Sequence, residues 1–105
     1  MDKRTVEEII SLYSKHGWKL RRVLLSQALA KNLGADGAEL FSGAKVLDSD
    51  IDAAWFSRSS KPGNDTWEIR RLSSDPFALC EVFSDEDDEE TRKEAMFEME
   101  SKLRG

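Results

Sequence analysis

The side chains with the richest chemistry in this sequence are one histidine, one cysteine, and clustered carboxylates and arginines. His16 and Cys80 are the sole residues of their types, and a nucleophile–base pair would need them within hydrogen-bond reach. Cys80, however, alternates with Leu79 and Val82 in an apolar run, the setting of a small buried hydrophobe. His16 stands where a helix end wants a donor. Together they fall short of a structural zinc site, and a lone cysteine excludes an internal disulfide. The chain holds no Gly-rich phosphate loop, no Gly-x-Ser-x-Gly elbow and no His-Glu-x-x-His. No catalytic residue, metal ligand or cofactor is therefore assigned. A small enzyme centred on a carboxylate or on Cys80 is kept as an alternative.

The carboxylates invite a cation reading that their spacing does not sustain. Asp48, Asp50 and Asp52 match the first three ligands of a calcium loop, but the required Gly and Glu positions are occupied by Ala53 and Ser59. The run Asp85 to Glu90 lacks mixed carbonyl and carboxylate ligation and fits a solvated helix start facing water or a basic partner.

Two groups of basic and aromatic residues remain. Lys19, Arg21 and Arg22 follow Trp18, and Arg58 would join them across a sheet, giving the phosphate contacts and stacking platform of an anion or single-strand binder. Trp55, Arg58, Trp67, Arg70 and Arg71 fall on what read as neighbouring strands, and Arg beside Trp is the composition of binding hot spots. A sheet covered on one face would expose one parity of these residues.

These residues must be positioned by one domain. The chain has 105 residues, 39% hydrophobic and 35% charged, with three Trp and five Phe, a length that suits a single core and an aromatic content that argues against disorder. Its net charge of −5 is uneven: residues 1–14 carry −1, residues 15–71 carry +3 and residues 72–105 carry −7. That balance disfavours indiscriminate nucleic-acid binding while leaving a local basic face. No apolar run is long enough to span a bilayer, and the start Met1-Asp2-Lys3-Arg4 has no secretory pattern. An intracellular, cytoplasmic protein without membrane contact is expected.

Local patterns supply the elements. Thr5 and Glu8 fit a capping box ahead of Val6, Ile9, Ile10 and Tyr13 at helical spacing, with Gly17 as the stop, so residues 5–16 are predicted helical. Residues 18–33 fit either one helix or a strand to Leu25 followed by a short helix, Gln27 to Asn32, capped by Ser26; the second reading is preferred. Strict alternation in that strand leaves neither face apolar. Residues 35–43 read as a connection anchored by Leu40 and Phe41. Strand-like runs at 51–57, 66–72 and 77–83, separated by the loop 59–65 and the turn 73–76, predict an antiparallel meander. A last helix begins at Ser84 as cap and presents Ala95, Met96, Met99 and Leu103.

The fold expected is a two-layer α+β sandwich over residues 1–105, a single domain of order α-β-α-β-β-β-α. Its mainly antiparallel sheet of three or four strands would carry the N- and C-terminal helices on one face. The function expected is a non-enzymatic protein-interaction module, another protein being its partner. Binding of nucleic acid or an anionic ligand through Lys19, Arg21, Arg22 and Arg58 is the alternative.

Overall fold

In the computed structural model, which describes residues 1–104, Asp2 starts the first helix, α1 (Lys3–Lys15). Its carboxylate accepts from the Thr5 amide at 2.9 Å and the Thr5 hydroxyl at 2.8 Å. Thr5, expected to be the cap, thus lies inside the first turn, because the earlier carboxylate reaches the free amide first. The helix ends as expected. Gly17 takes φ 84°, and the Trp18 amide returns to the Tyr13 carbonyl at 3.0 Å, a six-to-one closure that suits glycine.

Strand β1 (Lys19–Leu25) then gives way to α2 (Gln27–Leu33), whose first turn is capped by the Ser26 hydroxyl accepting from Leu29 at 3.2 Å. The strand-plus-helix alternative is the one realised. The segment expected as a connection contains a short helix, α3 (Asp36–Leu40), and buries Phe41. The next strand, β2 (Lys45–Asp48), pairs in parallel with β1. It adds an element absent from the expected order. The meander follows as β3 (Ala53–Lys61), β4 (Asn64–Arg71) and β5 (Ala78–Ser84), antiparallel throughout. The expected loop between the first two tightens to Pro62-Gly63, with Gly63 at φ 82°. The last helix, α4 (Glu89–Arg104), starts at Asp88, which accepts from the Thr91 amide at 2.7 Å. Ser84 instead closes β5, and its amide donates to Asp87 at 2.8 Å.

The described residues form an α+β fold of four helices and one five-stranded mixed sheet of order β2-β1-β3-β4-β5. The helices do not share a face. Val6 and Ile9 of α1, Leu29 and Leu33 of α2, and Phe41 pack with Val23, Leu25, Ala54 and Phe56 on one side. Met96, Met99 and Leu103 of α4 pack with Leu24, Trp55, Ile69 and Phe83 on the other. The expected two layers are therefore three. The reason lies in β3, where Ala53 through Ser57 are buried without interruption, the burial of a strand covered on both faces. Successive residues of it point into different cores.

One irregularity governs β1. Leu20 pairs with Phe56 and Arg22 with Trp55, so Arg21 is an extra residue opposite the step between two neighbours of β3. This β-bulge resets the alternation. Leu20, Val23 and Leu25 reach the α1 side, while Leu24 lies in the α4-side core. Both faces, unclean under strict alternation, become consistent.

Candidate functional site

The residues expected to form one surface are divided by the sheet. Trp55 is fully buried under α4, and its indole N–H donates to Glu100 at 2.9 Å. Trp67 packs edge-on against it with centroids 6.3 Å apart. Its own indole nitrogen is buried and has no hydrogen-bond partner among the described residues. The expectation that Trp55 and Trp67 lie on an open face is thereby corrected: their parity points to the side that α4 closes. Arg71 shares that side. Its guanidinium donates to the Leu103 carbonyl at 2.9 Å, lies 4.9 Å from the Phe77 ring centroid and pairs with Asp75 at 3.5 Å. It fastens the end of α4.

Arg58 and Arg70 occupy the α1 side, as strand alternation requires. Arg58 stacks 4.6 Å from the Trp18 ring centroid and donates to the His16 carbonyl at 3.2 Å, holding the end of α1. Arg70 stands between Ala54 of β3 and Ala78 of β5 and donates to the Arg71 carbonyl.

The four cations of the expected anion site are divided too. The bulge puts Arg21 with Ser57 and Trp67: its Nε donates to the Ser57 hydroxyl at 2.8 Å, and its guanidinium lies 5.9 Å from the Trp67 centroid. Arg22 sits opposite Trp55 and Lys19 opposite Ser57, on that same side. Arg58 is on the other. Lys45, at the start of β2, is the cross-strand neighbour of Arg22.

The aspartates near residue 50 serve three separate ends. Asp48 closes β2, and Asp50 pairs with Arg104 at 2.9 Å, whose hydrogen bond holds its carboxyl below the usual range. Asp52 accepts from the Ser26 amide at 2.7 Å and the Ser26 hydroxyl at 3.1 Å, bracing the start of α2. The carboxyls displaced from ordinary acidity, Asp2, Asp50 and Asp88, are all pushed down by hydrogen bonds.

An uncovered surface does exist, on the α1 side of β4 and β5. Coverage ends at Tyr13, whose ring stacks on Phe56 at 4.0 Å and whose hydroxyl donates to Glu68. Burial and that carboxylate push the hydroxyl's pKa well up. Beyond Glu68, β5 presents Ala78, Cys80 and Val82, paired with Arg70, Glu68 and Thr66 respectively. All three are exposed, Val82 at 55%.

The backbone of β5 is open along the same side. The Arg71 amide donates to the Phe77 carbonyl at 2.9 Å and the Asp85 amide to the Gly63 carbonyl at 2.8 Å. These bonds set the antiparallel phase: odd-numbered residues of β5 bond inward to β4. Ala78, Cys80 and Val82 therefore turn both N–H and C=O toward the free edge, since among the described residues no strand lies beyond β5. Ser84, the next outward residue, is already occupied by Asp87 and by Arg92, which donates to its carbonyl at 2.6 Å. The open edge has a defined length. The sequence hinted at it only through position, β5 being the last strand of a meander, because its alternation is semi-apolar on both faces.

Among the described residues, no helix is long and apolar enough to cross a membrane. Comparison of the chain with protein-family models, with curated proteins and with solved structures finds no match.

Proposed function

We propose that this protein is a non-enzymatic protein-interaction module whose contact surface is the uncovered side of β4 and β5. The observation that carries the reading is the coincidence, at Ala78, Cys80 and Val82, of exposed side chains with unpaired backbone groups. An edge of this kind is a template for another chain, and Arg70 and Glu68 form its polar rim. Trp55, Trp67 and Arg71 support the surface from beneath. The test is affinity purification with Val82→Asp and Arg70→Glu variants beside a Phe97→Asp control, Phe97 being exposed on α4. The partner is lost with the first two and kept with the control. Retention with Val82→Asp refutes the surface.

One observation favours a second reading, an anionic ligand bound on the α4 side. The bulge gathers Arg21, Arg22, Lys19 and Lys45, and none of them has a carboxylate within 4.0 Å among the described residues. Retention on a phosphate resin that falls steeply with salt, and vanishes in an Arg21→Ala, Arg22→Ala variant, would support it.

A further inference from the structure

Resting on that reading of the β4–β5 surface, we infer that the partner docks as an extended, basic segment that adds antiparallel to β5 as a sixth strand. The mode follows from the edge. The outward N–H and C=O groups of Ala78, Cys80 and Val82 provide three hydrogen-bonded positions in antiparallel phase. The incoming residues opposite them place their side chains on the uncovered face, beside Val82, Cys80 and Ala78. The intervening ones point to the α4 side, where Glu81 and Leu79 lie. Pairing stops at Ser84, whose polar groups Asp87 and Arg92 already hold.

The charge follows from what flanks the edge. Glu81 lies within β5, and Asp85, Glu86 and Asp88 follow it, all exposed, while Asp75 ahead of it is paired with Arg71. Arg92, the first cation after β5 along the chain, is held at the Ser84 carbonyl and stacked 5.4 Å from the Phe83 centroid. A segment with Lys or Arg at its N-terminal end, and a further one opposite Glu81, meets carboxylates at each place. A second copy of this chain does not. Paired antiparallel about Glu81, two copies set that carboxylate against itself, and in any other register β5 (Ala78–Ser84) holds no Lys or Arg to meet it. Like charges directly opposite each other destabilise strand pairing.

The probe is a labelled peptide, Lys-Lys-Val-Lys-Val-Thr-Val, whose three Val face Val82, Cys80 and Ala78 in turn and whose third Lys faces Glu81. Two comparison peptides replace every Lys by Glu or methylate the amide nitrogens of the Val residues. Binding to the full chain is read by fluorescence anisotropy and by amide hydrogen exchange. The expected result is binding of the Lys peptide about tenfold or more tighter than either comparison peptide, with slowed exchange at Ala78, Cys80 and Val82. Val82→Pro removes one outward donor, leaves the inward ladder to β4 intact, and abolishes binding. Should that variant fold poorly, the methylated peptide makes the same test on the unaltered chain. Equal binding of the Glu peptide overturns the basic partner. Binding unaffected by methylation, or no binding of the Lys peptide, overturns strand addition; the surface itself then stands or falls by the Val82→Asp purification. Self-association of the chain by sedimentation, lost with Val82→Pro, would identify the occupant as a second copy.

Discussion

Deleting Arg21 should leave this protein folded, whereas deleting Val23, two residues later, should not. Removing one residue from a central strand ordinarily turns its side chains to the wrong faces. Here the bulge makes Arg21 the residue without a counterpart on β3, so its loss joins Leu20 to Arg22 as regular neighbours opposite Phe56 and Trp55. Each side chain keeps its face. What is lost is the 2.8 Å bond to Ser57, a residue only 4% exposed, and the stacking over Trp67. An unpaired buried hydroxyl costs about 1–3 kcal/mol, and the exposed cation–π contact about 0.5–1 kcal/mol. Regularising the ladder returns about 1 kcal/mol. The net is on the order of 2 kcal/mol, a fall in Tm on the order of 10 °C for a chain of this size. Adding Ser57→Ala to the deletion removes the orphaned hydroxyl and recovers about half of that loss. Deleting Val23 instead lets the strand shed its bulge only by swinging Arg22 into the fully buried place of Val23. A charge placed there exceeds about 4 kcal/mol, comparable to the whole stability of a small domain. Thermal melts followed by circular dichroism check all three variants. The reasoning is refuted if the Arg21 deletion is as unfolded as the Val23 deletion, or if Ser57→Ala makes the Arg21 deletion worse.

Other parts of the molecule give separate tests. Trp55→Ala empties a fully buried site and breaks the bond to Glu100, costing about 3–5 kcal/mol in urea denaturation; a cost below about 1 kcal/mol would place Trp55 at the surface. Asp52→Ala releases the Ser26 amide and hydroxyl, and a loss of about 1–2 kcal/mol is expected, with faster amide exchange confined to the start of α2. The raised pKa of Tyr13 means that the folded chain keeps this proton while the unfolded one releases it near the ordinary tyrosine value of 10.0, so stability present below that pH declines above it. Tyr13→Phe should flatten the decline, and an unchanged alkaline slope would contradict the Tyr13–Glu68 contact. Cys80 should be modified by a thiol reagent in the native protein without prior unfolding, because the open edge exposes it; modification only after unfolding would mean that something covers β5.

Local signals carried much of the architecture and little of the site. Caps, glycine stops and alternation identify α1, α2 and the meander because each depends on residues close in sequence. The assignment of helices to faces does not. It depends on Ala53, Ala54, Trp55 and Phe56 all being buried, and a continuous apolar run of that length admits one covered face or two. Strand β2 escaped because four residues with exposed Lys45 and Val46 show no periodicity, and its partner β1 lies across two helices. The bulge at Arg21 could be inferred only from its effect, a strand with no clean face. The site residues follow the same division. Parity along β4 puts Trp67 and Arg71 on one face and Arg70 on the other, but which parity meets water depends on where α4 packs.

The arginines on carbonyls and the aspartates on amides also give the helices a direction in which to come apart. Arg58 holds the His16 carbonyl after α1, and Arg71 holds the Leu103 carbonyl near the end of α4. Neither contact contains a carboxyl group. The beginnings of the same helices depend on Asp2 and Asp88, whose lowered pKa values mean support that is present above the ordinary value of 3.8 and lost as pH falls below it. Acid therefore loosens both helices at their first turns; the last turn of α1 stays held by Arg58, whereas that of α4 keeps Arg71 but loses the Asp50–Arg104 pair as well. For α4 the first turn lies beside the end of β5, so the acidic margin of the open edge loosens together with the start of that helix.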